Sequence, residues 1–129
     1  MGEKKKILVV DDDPDFVEAV KTVLEAADYD VAIAYDGEEC MERLEEGTPD
    51  LIVLDVMMPG KDGYEVCKNL KDDPKTVEIP VILLTAVASR VSTSRYTHKM
   101  GMETSADDYI AKPVQPEELL QRIRDQLGS

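Results

Sequence analysis

Five short apolar runs, Ile7–Val10, Val31–Tyr35, Leu51–Leu54, Val81–Leu84 and Tyr109–Ala111, recur along the chain with helical patterns between and after them. The first, third and fourth consist of Val, Ile and Leu with no polar alternation, which is how strands covered on both faces read. Phe16, Val20, Val23, Leu24 and Ala27 share one helical face; Cys40, Met41 and Leu44 share another; Val66, Cys67 and Leu70 follow the same spacing. Leu119, Leu120, Ile123 and Leu127 close the series at spacings of three and four. Such alternation predicts an α/β fold, a doubly wound five-stranded parallel sheet with helices on both sides. The punctuation agrees. Asp13 reads as an N-cap before Pro14, Pro116 opens the last helix ahead of Glu117 and Glu118, and Gly37, Gly47, Gly63 and Gly101 fall at the breaks.

Composition decides what such a chain can meet. At 129 residues, 43% apolar and 33% charged, it reads as one globular domain over residues 1–129 with a core of its own. A formal net charge of −13 repels nucleic acid and anionic lipid, so neither is expected as a direct partner. The apolar runs are strand-sized, and Lys4–Lys6 precede only four apolar residues, too few for a secretory leader. Cys40 and Cys67 have no metal-ligand spacing and read as buried, reduced thiols of a cytoplasmic protein. His98, the one histidine, reads as a surface helix residue.

In open sheets of this kind ligands bind beyond the carboxyl ends of the strands. Those ends carry Asp11 and Asp12, then Asp55, then Thr85, then Lys112 before Pro113. Three carboxylates on one small edge repel unless a cation sits among them, and a hard divalent ion such as Mg²⁺ or Mn²⁺ suits an all-oxygen set. A carboxylate can attack phosphorus, a hydroxyl can donate to a phosphoryl oxygen, and a lysine can neutralise its charge. Each residue also has a plainer structural reading. Asp13 fits a helix cap better than a ligand, Asp62 fits a turn, Tyr109 can be an ordinary strand aromatic, and Met57 and Met58 suit loop packing. Arg90, Arg95 and Lys99 fall in an acid-free stretch that is either a solvated helix or a surface for an acidic partner.

Together, "ILVVDDDPDF", "PDLIVLDVMMPGKDGYEV", "IPVILLTA" and "ADDYIAKP" resemble, in order and over nearly the whole chain, the receiver domain of two-component response regulators. The resemblance, of the chemotaxis-regulator kind, implies a flavodoxin-like (βα)5 fold with strand order 2-1-3-4-5. It implies Asp55 as phosphoacceptor, Asp11 and Asp12 as the acidic pair for Mg²⁺ together with Asp55 and the Met57 carbonyl, and Lys112 as the phosphate-pairing lysine. Thr85 and Tyr109 take the switch roles, and Met57, Ala86 and Val87 tune the lifetime of the aspartyl phosphate. The implied donor is a phosphohistidine of a sensor histidine kinase or histidine phosphotransfer domain. The implied output is an unidentified partner at the fourth helix, fifth strand and fifth helix, from a monomer able to dimerise on phosphorylation. The chain then acts as a switch and not as an enzyme, beyond phosphoryl transfer onto itself and slow autodephosphorylation. Two departures stand out: the segment between Thr85 and Lys112 is long for the family, and Ser105 stands where many members have glycine. The alternatives are a receiver that binds partners without phosphorylation and a phosphatase of the haloacid dehalogenase type. The latter wants an aspartate where Met57 stands.

Overall fold

The computed structural model describes residues 4–55, 63–85, 108–111 and 114–128. In chain order these form β1 (Lys6–Val10), α1 (Pro14–Ala26), β2 (Asp30–Ala34), α2 (Gly37–Glu46), β3 (Leu51–Asp55), α3 (Gly63–Asp72), β4 (Val81–Thr85), β5 (Asp108–Ala111) and a C-terminal helix (Pro116–Leu127). All ladders are parallel and the strands lie in the order β2-β1-β3-β4-β5, the doubly wound flavodoxin-like arrangement that the sequence implies. No helix among the described residues is long and apolar enough to cross a membrane.

Successive side chains of the inner strands feed two cores, because a strand turns alternate residues to opposite faces. Leu8, Val10, Ile52, Leu54, Val81 and Leu83 meet Cys40 of α2 and Val66, Cys67 and Leu70 of α3. Ile7, Val9, Leu51, Val53, Ile82 and Leu84 meet Val17, Val20 and Leu24 of α1 and Leu119 and Ile123 of the C-terminal helix. Burying each such side chain contributes about 1.5–3 kcal/mol, which makes these strands the stable centre. Lys6 and Asp11 bracket β1, so slipping its register by one residue drags a charge between the cores.

The helix ends explain how the strands are aimed. Asp13 caps α1, its Oδ1 accepting from the Asp15 and Phe16 N–H groups at 3.1 and 3.4 Å, with Pro14 at the first helical position. At the other end the Asp28 N–H donates to Glu25 O and the Tyr29 N–H to Leu24 O, while Asp28 takes a left-handed φ of 73°. That is a Schellman closure, sealed by Tyr29 and Leu24 in one core. Beyond α3, the Thr76 hydroxyl donates to Leu70 O at 2.6 Å and Lys71 Nζ to Ile79 O at 2.8 Å, and the Ile52 N–H reaches Pro80 O. These bonds set the entry of β4 beside β3.

The two outer strands are finished by side chains. On β2, Arg43 Nε donates to Ile33 O at 3.1 Å and Glu39 Oε1 accepts from the Tyr35 N–H at 2.9 Å. On β5, Asp108 Oδ1 accepts from the Tyr109 N–H at 2.9 Å, and Arg122 of the C-terminal helix donates to both Asp108 oxygens.

Three expectations need correction. Val17, left out of the apolar face, takes a core position beside Val20 and Leu24; Phe16 and Ala27 pack half-buried against the same core as expected, while Val23 is half-buried outside it. Met41 is 38% exposed, one residue round the helix from buried Cys40. β2 starts at Asp30, whose N–H pairs with Lys5 O, and stops before Tyr35, which is exposed. Asp62, Arg90, Arg95, His98, Lys99, Gly101 and Ser105 lie outside the described residues.

Candidate metal centre

Strand order brings the acids together. β1 and β3 are neighbours with Val10 opposite Leu54, so Asp11, the next residue on one, and Asp55, the last on the other, stand side by side. The Asp11 N–H donates to Ala34 O at 3.1 Å, which carries the β1–β2 pairing one residue past the strand. Asp12 follows in the turn into α1. Each of the three offers an oxygen within 4.8 Å of the others; Asp11 and Asp55 are buried, at 0% and 2% exposure, and Asp12 is exposed.

Burying two carboxylates at such range is costly without compensation. One local contribution is visible: the Asp13 N–H donates to Asp11 Oδ1 at 3.0 Å, an Asx-type turn that orients the carboxylate and leads directly into the Asp13 cap. Sequence reasoning assigned Asp13 to the cap and missed this second task, although an aspartate two residues before a helix cap is a recognisable turn signal. The spacing also suits a cation. Oxygens on an octahedral Mg²⁺ at about 2.1 Å stand about 3 Å apart when adjacent and about 4 Å when opposite. The three oxygens lie within 4.8 Å of one another, slightly wider than that octahedral span, and the exposed acid beside two buried ones leaves a side open to water.

Thr85 is the last residue of β4, half-buried, one rung beyond the Asp55–Leu84 pair and opposite Ala111. It therefore stands at the same edge of the sheet as the acids. Tyr109 lies two residues before Ala111 and packs against the core shared with α2 and α3. Its hydroxyl is buried and meets no hydrogen-bond partner among the described residues. Met57, Ala86, Val87 and Lys112 lie outside the described residues. Cys40, in contrast, belongs to the core, and burial pushes its thiol up from 9.0 to about 12.

Comparison with known proteins agrees with this arrangement. The family described as response regulator receiver domain matches residues 7–124. The chain is 39% identical to the DNA-binding response regulator MtrA of Mycolicibacterium smegmatis over 124 residues, 96% of this chain and 51% of that protein. It is 43% identical to the alkaline phosphatase synthesis transcriptional regulatory protein PhoP of Bacillus subtilis over 120 residues, 93% of this chain and 47% of that protein. It thus spans about half the length of the curated relatives it matches. The chemotaxis response regulator CheY4 of Vibrio cholerae superposes with a TM-score of 0.83 at 29% identity, covering 95% of this chain and 98% of that one. With the strand order, the acidic cluster and the family match in agreement, this chain belongs to the response regulator receiver domains of two-component signalling, which are signalling modules and not conventional enzymes.

Proposed function

We propose that residues 1–129 work as one receiver domain that takes a phosphoryl group onto Asp55 from a phosphohistidine of a sensor histidine kinase or phosphotransfer domain. The observation that carries this reading is the meeting of Asp11, Asp12 and buried Asp55 within 4.8 Å at the carboxyl edge of the sheet. In the transfer, an Asp55 carboxylate oxygen bonds to phosphorus as the N–P bond breaks, and the electron pair leaves with the imidazole nitrogen. Asp11 and Asp12 would hold Mg²⁺ or Mn²⁺ with Asp55 and the Met57 carbonyl, and the ion when bound supplies charge neutralisation for the phosphoryl oxygens. Thr85 donates its hydroxyl to one phosphoryl oxygen and Lys112 pairs with another. Thr85 moving inward leaves room for the half-buried Tyr109 ring to follow, which favours a second conformation at the surface near β5 and the C-terminal helix. The domain would act in the cytoplasm. Its partners would be proteins, because a chain of net charge −13 repels nucleic acid, and any DNA contact would belong to other parts of a longer regulator.

Intact-mass spectrometry after incubation with Mg²⁺ and acetyl phosphate tests the proposal. The expected result is one added phosphoryl group in the wild type, none in Asp55→Asn and none with chelator. No adduct in the wild type, together with no binding of beryllofluoride, would instead point to a receiver that engages partners without phosphorylation.

A further inference from the structure

The outer margin of β2 offers backbone groups that a sheet ordinarily pairs with another strand. In a parallel ladder the N–H and C=O of one residue face the same neighbour. The Asp30 N–H and Ala34 O face β1, so Asp30, Ala32 and Ala34 pair inward, while Val31, Ile33 and Tyr35 turn their groups outward. Two of those outward groups, Ile33 O and the Tyr35 N–H, are the ones taken by Arg43 Nε and Glu39 Oε1 at 3.1 and 2.9 Å. Both side chains come from consecutive turns of α2. Glu46 holds the guanidinium from its other side, with Arg43 Nη1 at 3.2 Å from Glu46 Oε2. At the opposite margin the Tyr109 N–H is likewise taken by a carboxylate, Asp108, itself gripped by Arg122.

We infer that Arg43 and Glu39 are edge guards: charged side chains of α2 that occupy the hydrogen-bonding positions of β2 and so keep a second copy of this chain from adding its own β2 strand there. Open strand margins rich in Val, Ile and Tyr are templates for such addition, and charge placed on the margin blocks it. A ladder along β2 needs consecutive rungs. With Ile33 O and the Tyr35 N–H occupied, the described residues leave Val31 alone with both outward groups, since Ile33 keeps only its N–H and Tyr35 only its C=O, too little for consecutive rungs of a stable pairing. The plainer reading, that Glu39 serves only the start of α2 and Arg43 only its end, predicts a less stable helix and no association.

Sedimentation velocity and amide hydrogen exchange distinguish the two. The variants are Arg43→Met, which keeps helix propensity and an apolar stem, and Glu39→Ala/Arg43→Met, each first shown to be folded by a cooperative urea transition. The expected result is concentration-dependent dimer or larger species in the double variant, weaker in Arg43→Met, with slowing of exchange by about tenfold or more at the Val31 and Ile33 amides on association. Two results would overturn the inference: folded variants that sediment as the wild type does at every concentration, or association that leaves those two amides exchanging as before. If the double variant does not fold, Arg43→Met alone decides by the same two readouts.

Discussion

Single residues of this chain divide between packing and chemistry, and each kind supports a prediction. Cys40 is held protonated by burial alone. Since its folded pKa lies above the unfolded 9.0, the native state keeps the proton that the unfolded state gives up. The stability tied to this proton is intact below about pH 9 and falls as pH rises toward 12, by up to about 1.4 kcal/mol per unit. Urea midpoints between pH 8.5 and 10.5 should decline more steeply in the wild type than in Cys40→Ala, and an aromatic disulfide reagent at pH 8 should titrate the buried thiols only after unfolding. On the proposed reading, apolar Met57 and Val87 cannot orient a water against the aspartyl phosphate. Met57→Asn should then shorten its lifetime severalfold, measured as phosphate release from the labelled domain. The carboxylates were legible because Asp11 and Asp55 each directly follow an apolar run and Asp12 comes next after Asp11, and the structure brings all three together. The Asp13 N–H that steadies Asp11 was not, because a cap signal conceals a second bond made by the same residue's backbone.

At the scale of elements, the helix closures are as informative as the strands. Asp28 adopts the left-handed conformation that glycine takes without a Cβ clash, and it does so in a solvent-exposed turn where its side chain packs against nothing needed by the core. Asp28→Gly should therefore raise the unfolding free energy by about 0.5–1 kcal/mol, read as a higher urea midpoint at unchanged m-value, with Asp28→Ala lowering the midpoint. The inner strands were readable from composition because double burial leaves only Val, Ile and Leu between their polar end residues. The limits of β2 were not, for a reason visible in Asp30 and Tyr35. An outer strand is half-solvated, so its extent is decided by one N–H bond to Lys5 O and one to the Glu39 carboxylate, neither of which leaves a trace in hydropathy. Met41 and Val17 show the same limit on helices. A face written as a list of apolar residues is wider than the seam that the sheet accepts, and shape decides which members enter it.

The whole molecule combines a net charge of −13 with three carboxylates at one sheet edge, so ions should act on it in two separable ways. Monovalent salt relieves general repulsion by screening. A divalent ion at the cluster adds binding free energy to the folded state, about 2.7 kcal/mol at a hundredfold excess over Kd. The melting temperature should rise more with MgCl₂ than with NaCl at matched ionic strength, and Asp12→Asn should abolish most of the excess; equal shifts would leave the cluster without a specific ion. The fold was legible at this scale because five apolar runs with helices between them admit few topologies. The position of the fifth strand's margin was less so, since its closure depends on Arg122 reaching Asp108 across 14 residues of chain. The site residues sit where the strands stop, one step past the side chains that fill the two cores. Exposed Asp12 fills no core position, and Thr85 lies only half within one. Replacing Asp12 therefore costs the scaffold little, whereas Asp11 and Asp55 are enclosed by the protein, so half of the ion's seat is written into the packing and half is free to change.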